Sequence, residues 1–200
     1  MHIEMLLEEP STEAFLHGFL PRILPDTTSW RLIPFQGKSD LLSKLEDRLK
    51  GYAAWIPEDF RIVVLVDEDR ENCQQLKAKM EAAAIAANLV TKSAAGDGAF
   101  TVLNRIAVEE LEAWFLGDIE VLRSAYRGIP ASLASRAQFR DPDAVAGGTW
   151  EALERVLQRA GHFSSGLRKI ELARTMALHL NPDNNESRSF NYFINGLKSL

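Results

Sequence analysis

The segment Arg61-Ile-Val-Val-Leu-Val66, aliphatic without interruption from Ile62 onward, constrains this chain more than any other. A strand with one wet face alternates apolar and polar residues. A run with no polar position belongs instead to a strand covered on both faces, the environment of a central strand in a parallel sheet. The run ends in Asp67-Glu-Asp69, so the same strand delivers two acids to its carboxyl end.

The flanking sequence alternates in the way a parallel sheet requires. His2 to Leu7 reads as a short apolar strand, followed by a helix capped by Ser11 or Thr12 that carries Phe15, Phe19, Leu20 and Ile23 and ends at Pro25-Asp26. Ser29 to Phe35 is a second strand. After Gly37, Ser39 or Asp40 caps a helix that runs to about Trp55 with a stripe of Leu41, Leu42, Leu45 and Leu49. A helix over Gln74–Ala87, a strand over Val102–Val108 and a short helix over Glu109–Leu116, broken by Gly117-Asp118, complete the pattern. Residues 128–148 are rich in Ala, Ser, Pro and Gly and read as an irregular connection, with helices expected at Thr149–Ala160, Leu167–Leu180 and Ser189–Leu200. The expected architecture is an α/β domain over residues 1–126, a Rossmann-like, mostly parallel sheet flanked by helices, with a helical extension over 127–200 packed on it.

Composition narrows the chemistry. With one cysteine, Cys73, and four scattered histidines, the chain has neither an internal disulfide nor Cys/His spacing for zinc, so any metal must be held by oxygen. Without a signal peptide or a bilayer-length apolar stretch, the expectation is a cytoplasmic protein with no membrane partner. The net charge of −5 argues against a generally basic nucleic-acid coat, but it is unevenly spread. Residues 1–120 carry 12 basic and 21 acidic side chains (12 − 21 = −9), and residues 121–200 carry 11 and 7 (11 − 7 = +4). An acidic sheet beside a basic arm suits a carboxylate metal site that meets phosphates, although the asymmetry is equally compatible with no such role.

Sites in open α/β sheets form outside the carboxyl ends of the strands. Glu8 and Glu9 follow the first strand, Asp67 and Asp69 the third, and Glu109, Glu110 and Glu112 the fourth. Mg²⁺ and Mn²⁺ take oxygen ligands, so Asp67 and Asp69 can share an ion that Glu8 closes. Asp118, six positions beyond Glu112, can join it only if Gly117 breaks the helix. Lys38 can meet a phosphate but lacks a glycine-rich P-loop, and a solvated lysine is its ordinary reading. Arg168, Lys169 and Arg174 suit a nucleic-acid backbone or a solvated helix face equally. Trp114 and Phe115 are read as core, and His17, His162 and His179 as helix or core residues rather than ligands.

Leu7-Glu8 with Thr12-Glu13, followed by Leu65-Val-Asp67-Glu-Asp69-Arg70 and Cys73, resembles the Toprim fold, the metal-binding domain of topoisomerases, primases and related nucleases. Gly37-Lys-Ser-Asp-Leu41, Ile106-Ala-Val-Glu-Glu-Leu-Glu-Ala-Trp-Phe-Leu-Gly-Asp118 and Asn185-Glu-Ser-Arg-Ser-Phe190 resemble motifs of the Toprim-like domain-of-unknown-function family 4276. The resemblance implies Mg²⁺ or Mn²⁺ on Glu8, Asp67 and Asp69, which would also be the catalytic residues. Similarity to nucleases of the overcoming-lysogenization-defect type adds Glu112. It further implies nucleic acid as substrate and an ATPase partner in a bacterial defence or mobile-element setting. Where the family usually follows its first glutamate with glycine, this chain has Glu9, which puts a charged side chain in an expected tight turn.

The leading expectation is therefore metal-dependent phosphodiester hydrolysis by a nuclease. A non-catalytic regulatory subunit that binds nucleic acid, nucleotide or protein is the alternative. An aspartate-nucleophile phosphatase of the haloacid dehalogenase type also places D-x-D after a strand, but Glu71 stands where that motif usually has Thr or Val.

Overall fold

The computed structural model describes all 200 residues, Met1–Leu200. Four strands, β1 (His2–Leu7), β2 (Ser29–Pro34), β3 (Phe60–Asp67) and β4 (Val102–Ala107), form one parallel sheet in the order β2-β1-β3-β4. Side chains on successive strand residues point to opposite faces. The core divides accordingly: Ile3, Met5, Leu7, Val63 and Leu65 face one helical layer, while Leu6, Ile62, Val64 and Val66 face the other. Both layers are apolar, so β3 has no polar position between Ile62 and Val66.

The second layer is α2 (Lys38–Ala53) and α3 (Cys73–Ala86), which bury Leu41, Leu45 and Leu49 and Leu76 and Met80. On the first face lie α1 (Pro10–Ile23), α5 (Leu111–Leu116), α6 (Ile119–Ala125), α7 (Thr149–Arg159), α8 (Lys169–His179) and α9 (Arg188–Leu197). A single turn, α4 (Lys92–Ala95), precedes β4. Residues beyond 126 share one continuous core with the sheet. Helix α8 packs on α1 so closely that a Cβ on Gly18 would stand 2.9 Å from that of Ala177. Arg22 donates to the carbonyls of Ala177 (2.6 Å) and Leu180 (3.0 Å), satisfying the α8 C-terminus. No helix is long and apolar enough to cross a membrane.

Several boundaries differ from the sequence reading for physical reasons. Helix α1 begins directly after Glu9, whose side chain makes no capping bond, and earlier than Ser11 or Thr12 would place it, with Pro10 in the first helical position, where its missing N–H costs nothing. The helix expected from Glu109 starts at Leu111. Gly117 ends it, and Asp118 opens the further helix α6 by accepting from the Val121 N–H at 3.1 Å. The irregular stretch 128–148 holds three short 3₁₀ turns.

Candidate functional site

Strand order reverses at β1: the chain leaves it through α1 to β2 on one side and returns through α2 to β3 on the other. The carboxyl ends of β1 and β3 are thus adjacent at a topological switch point, where loops diverge and leave a crevice. Leu7 is level with Leu65, and the next residue, Glu8, accepts a hydrogen bond through Oε2 from the Asp67 N–H at 2.9 Å. Its other oxygen makes no hydrogen bond within the chain.

Asp67 is 6 % exposed, and its carboxylate has no hydrogen-bond donor in the protein. Burial drives its pKa well above the ordinary carboxylate range, and the charges of Glu8, Glu112, Glu9 and Asp69 push it further. Glu8 is raised to about 7, chiefly by burial, against the opposing effects of the Asp67 N–H and Lys38. Glu112, in the first turn of α5, is 1 % exposed, with Oε2 bonded to nothing. Burial raises its pKa to about 7 as well, although Lys169 stands 3.6 Å from Oε1. A buried acid elsewhere shows the contrast: Glu4 on β1 has the Tyr52 hydroxyl on one oxygen (2.7 Å) and His2 on the other (3.1 Å).

Asp69 occupies the rim. Its φ of 52° turns the chain sharply after β3, a conformation that Asp adopts more readily than most residues. Its side chain is exposed and paired with Lys38 at 2.6 Å. Lys38 also donates to the Glu68 carbonyl (2.9 Å), and its side chain is only 10 % exposed. The lysine read as solvated is therefore a fixture of the site. Glu68 holds the loop in place, accepting from the Cys73 N–H (3.1 Å) and the Glu109 N–H (3.3 Å).

Glu9 sits beside these acids with φ −144°, an extended conformation open to any side chain. The tight turn expected there is absent, and the residue contributes charge without backbone strain. Glu110 accepts from the Thr149 hydroxyl (3.2 Å) and the Trp150 N–H (3.3 Å), tying α7 to the site. Lys169 faces Glu112 and Glu110 and lies 5.7 Å from the Trp150 ring centre. Arg168 is directed elsewhere, paired with Glu171 at 2.8 Å and lying over the Phe163 ring. Asp118 caps α6 and Arg174 is exposed. Trp114 and Phe115 are fully buried, and His17 and His179 are exposed.

Two quoted motifs meet to position α5. Asn185 donates to the Trp114 carbonyl (2.7 Å) and accepts from the Ser187 N–H (2.9 Å). A Cβ on Gly117 would collide with its Oδ1. Trp114 Nε1 in turn donates to Ser189 Oγ at 2.9 Å. Glu112 is thereby held inward by contacts more than seventy residues away in sequence.

A family described as a domain of unknown function (DUF4276) matches residues 7–198. The chain belongs to the DUF4276 family. The match takes in Glu8, Asp67, Asp69, Glu112 and Lys169, so the carboxylates and the helices that enclose them lie within one DUF4276 unit. No curated protein and no solved structure matches the chain.

The donor set of this DUF4276 chain fits a hard divalent cation chemically. Glu8, Asp67 and Glu112 are oxygen donors, Glu112 Oε2 is buried with no partner, and burial disfavours each of the three as an anion. As arranged, no three His, Cys, Asp or Glu side chains form a preformed cage for an ion.

Proposed function

We propose that the carboxyl end of the sheet is a Toprim-like centre for divalent-metal-dependent hydrolysis of phosphodiesters. The observation that carries this reading is the burial of Asp67, which feels the charges of both Glu8 and Glu112, together with buried Glu112 whose Oε2 is left unpartnered. Mutually perturbed acids at a switch point are what a cation site would require and what a purely structural core would avoid.

Glu8, Asp67 and Glu112 would hold Mg²⁺ or Mn²⁺, with Asp69 at the rim. When bound, the ion supplies Lewis-acid polarisation of a phosphoryl oxygen. Glu8, its pKa raised to about 7 by burial in the metal-free chain, would either ligate the ion or, left off it, take the proton of an attacking water as the new P–O bond forms and the leaving oxygen departs. Lys38 beside Asp69 and Lys169 beside Glu112 would each balance charge developing on the phosphate oxygens. An ATPase partner is part of this proposal, on the ground that members of the family the chain resembles are often encoded near ATPases.

The test is cleavage of labelled single-stranded DNA, duplex DNA and RNA by the purified protein in Mn²⁺ or Mg²⁺, alone and with any ATPase found to be encoded beside it. Cleavage that disappears in Asp67→Asn, with the fold intact by circular dichroism, supports the reading. Failure to cut any of the three in either setting rejects it.

A second reading, a non-catalytic DUF4276 subunit that binds nucleic acid, nucleotide or protein, draws on one specific feature. Lys38 and Lys169 already supply positive charge to Asp69 and Glu112, and no three acids are set around a single point. In that case Mn²⁺ would neither bind nor stabilise the protein.

A further inference from the structure

At the outer edge of β4 the two helical layers part, α3 on one face and α9 on the other, leaving a cleft of about 430 Å³. Its chemistry is opposite to that of the carboxylate site. Lys77 Nζ and Arg105 Nη1 both donate to the Asn104 carbonyl at 2.9 Å, so two cationic head groups converge on one oxygen. Lys77 has Glu81 at 2.9 Å, but Arg105 has no carboxylate within ion-pairing distance. Arg105 Nε is used by the Tyr192 carbonyl at 2.9 Å, and Nη2 bonds nothing in the chain. Burial works against both charges and Arg105 adds repulsion to Lys77, while Glu81 offsets part of this at each.

This arrangement depends on Gly196. Any Cβ there would stand 2.7 Å from Arg105 Nη2 and close the space in which the guanidinium lies. Arg188, paired with Asp141 at 2.8 Å, adds a third cation to the lining, and Tyr192, 69 % exposed, stands at the rim. The acid in the lining, Asp143, is already engaged by the Ser187 hydroxyl (2.6 Å) and the Ser189 N–H (2.9 Å). A guanidinium with a free donor and no carboxylate paired to it, beside a second cation, is a receptor for phosphate oxygens, and an exposed phenol ring beside it is a platform for a flat base.

We propose that this cleft binds a nucleotide unit, with its phosphate on Arg105 and Lys77 and its base against Tyr192. Neither a metal nor the carboxylates are required, so the inference stands or falls separately from the reading of the sheet's carboxyl end. A free mononucleotide and a residue within a single strand present the same chemistry.

The experiment is fluorescence anisotropy of a short labelled single-stranded oligonucleotide with the full chain in EDTA, with AMP as competitor. Binding should weaken as salt rises and fall about tenfold in Tyr192→Ala and in Arg105→Ala. It should persist in Asp67→Asn. Tyr192→Ala keeps the test decisive, since its ring is exposed while Arg105 also ties α9 to β4. Competition by AMP at the oligonucleotide's own affinity assigns the cleft to free nucleotides, and affinity that grows with strand length assigns it to a strand. Wild-type protein that binds neither probe overturns the proposal. So does binding that survives Tyr192→Ala at wild-type affinity.

Discussion

Replacing Glu112 with glutamine should change how the stability of the protein depends on pH. The carboxyl is held at about 7 in the folded protein against an ordinary 4.5. Between those values the folded state binds a proton that the unfolded state has released, so stability falls as pH rises through the window and the loss is complete above pH 7. A difference of that size corresponds to about 3 kcal/mol. Lys169 already moderates it, and Glu8 and Asp67 titrate in the same direction, so wild-type protein should lose more than this one group's share between pH 5 and pH 8. In Glu112→Gln the drop from pH 5 to pH 8 should be smaller by up to about 3 kcal/mol. The amide brings its own hydrogen-bonding cost, on the order of 1–3 kcal/mol, but that cost is equal at both pH values and cancels from the difference.

Urea unfolding followed by tryptophan fluorescence, in EDTA at pH 5 and pH 8, measures both chains. A pH 5 to pH 8 drop that is equal in the two, or larger in the variant, would refute the argument that Glu112 is a buried acid lacking an adequate cation. The same titration with Mn²⁺ at pH 8 extends it to function. Saturation at a hundred times the dissociation constant should raise wild-type stability by about 2.7 kcal/mol, and Glu112→Gln should lose most of that gain.

Lys38→Met removes the cation that holds the Glu8 pKa down, so proton release by Glu8 should move above pH 7 and Mn²⁺ affinity, read by calorimetry, should reach its plateau at higher pH than in wild type. Gly117→Ala should destabilise the chain by about 1–3 kcal/mol in urea, because the added methyl meets Asn185 and the α5 turn must shift; activity should fall with it as Glu112 is displaced. Tyr52→Phe strips the donor from buried Glu4 and should cost about 1.5–3 kcal/mol without affecting Mn²⁺ binding, since Glu4 lies on β1 away from the carboxyl ends.

How far the site could be read from sequence depended on the range of the interactions that set it. The aliphatic run Ile62–Val66 reports burial on both faces, and from it follow the parallel sheet and the arrival of Asp67 at a strand end. Glu8 was legible for the same reason: β1 is a short strand whose last apolar residue fixes where the chain emerges. The division of labour within Asp67-Glu-Asp69 was not legible. It arises from the left-handed turn at Asp69 and from Lys38, the first residue of α2, which pairs with Asp69 at the rim while Asp67 stays buried. Asp118 carried a signal that was readable, because an Asp directly after a helix-ending Gly is also a helix-starting cap. Lys169 and Arg168 are indistinguishable as neighbouring basic residues at the start of a helix; only the rotation of α8 against α1 sends one to Glu112 and leaves the other in solvent with Glu171. The β4-edge cleft is the extreme case. Arg105 looks like a misplaced charge inside a strand and Gly196 like a flaw inside a helix, and each makes sense only once α9 lies across β4, with the missing side chain of one making room for the guanidinium of the other.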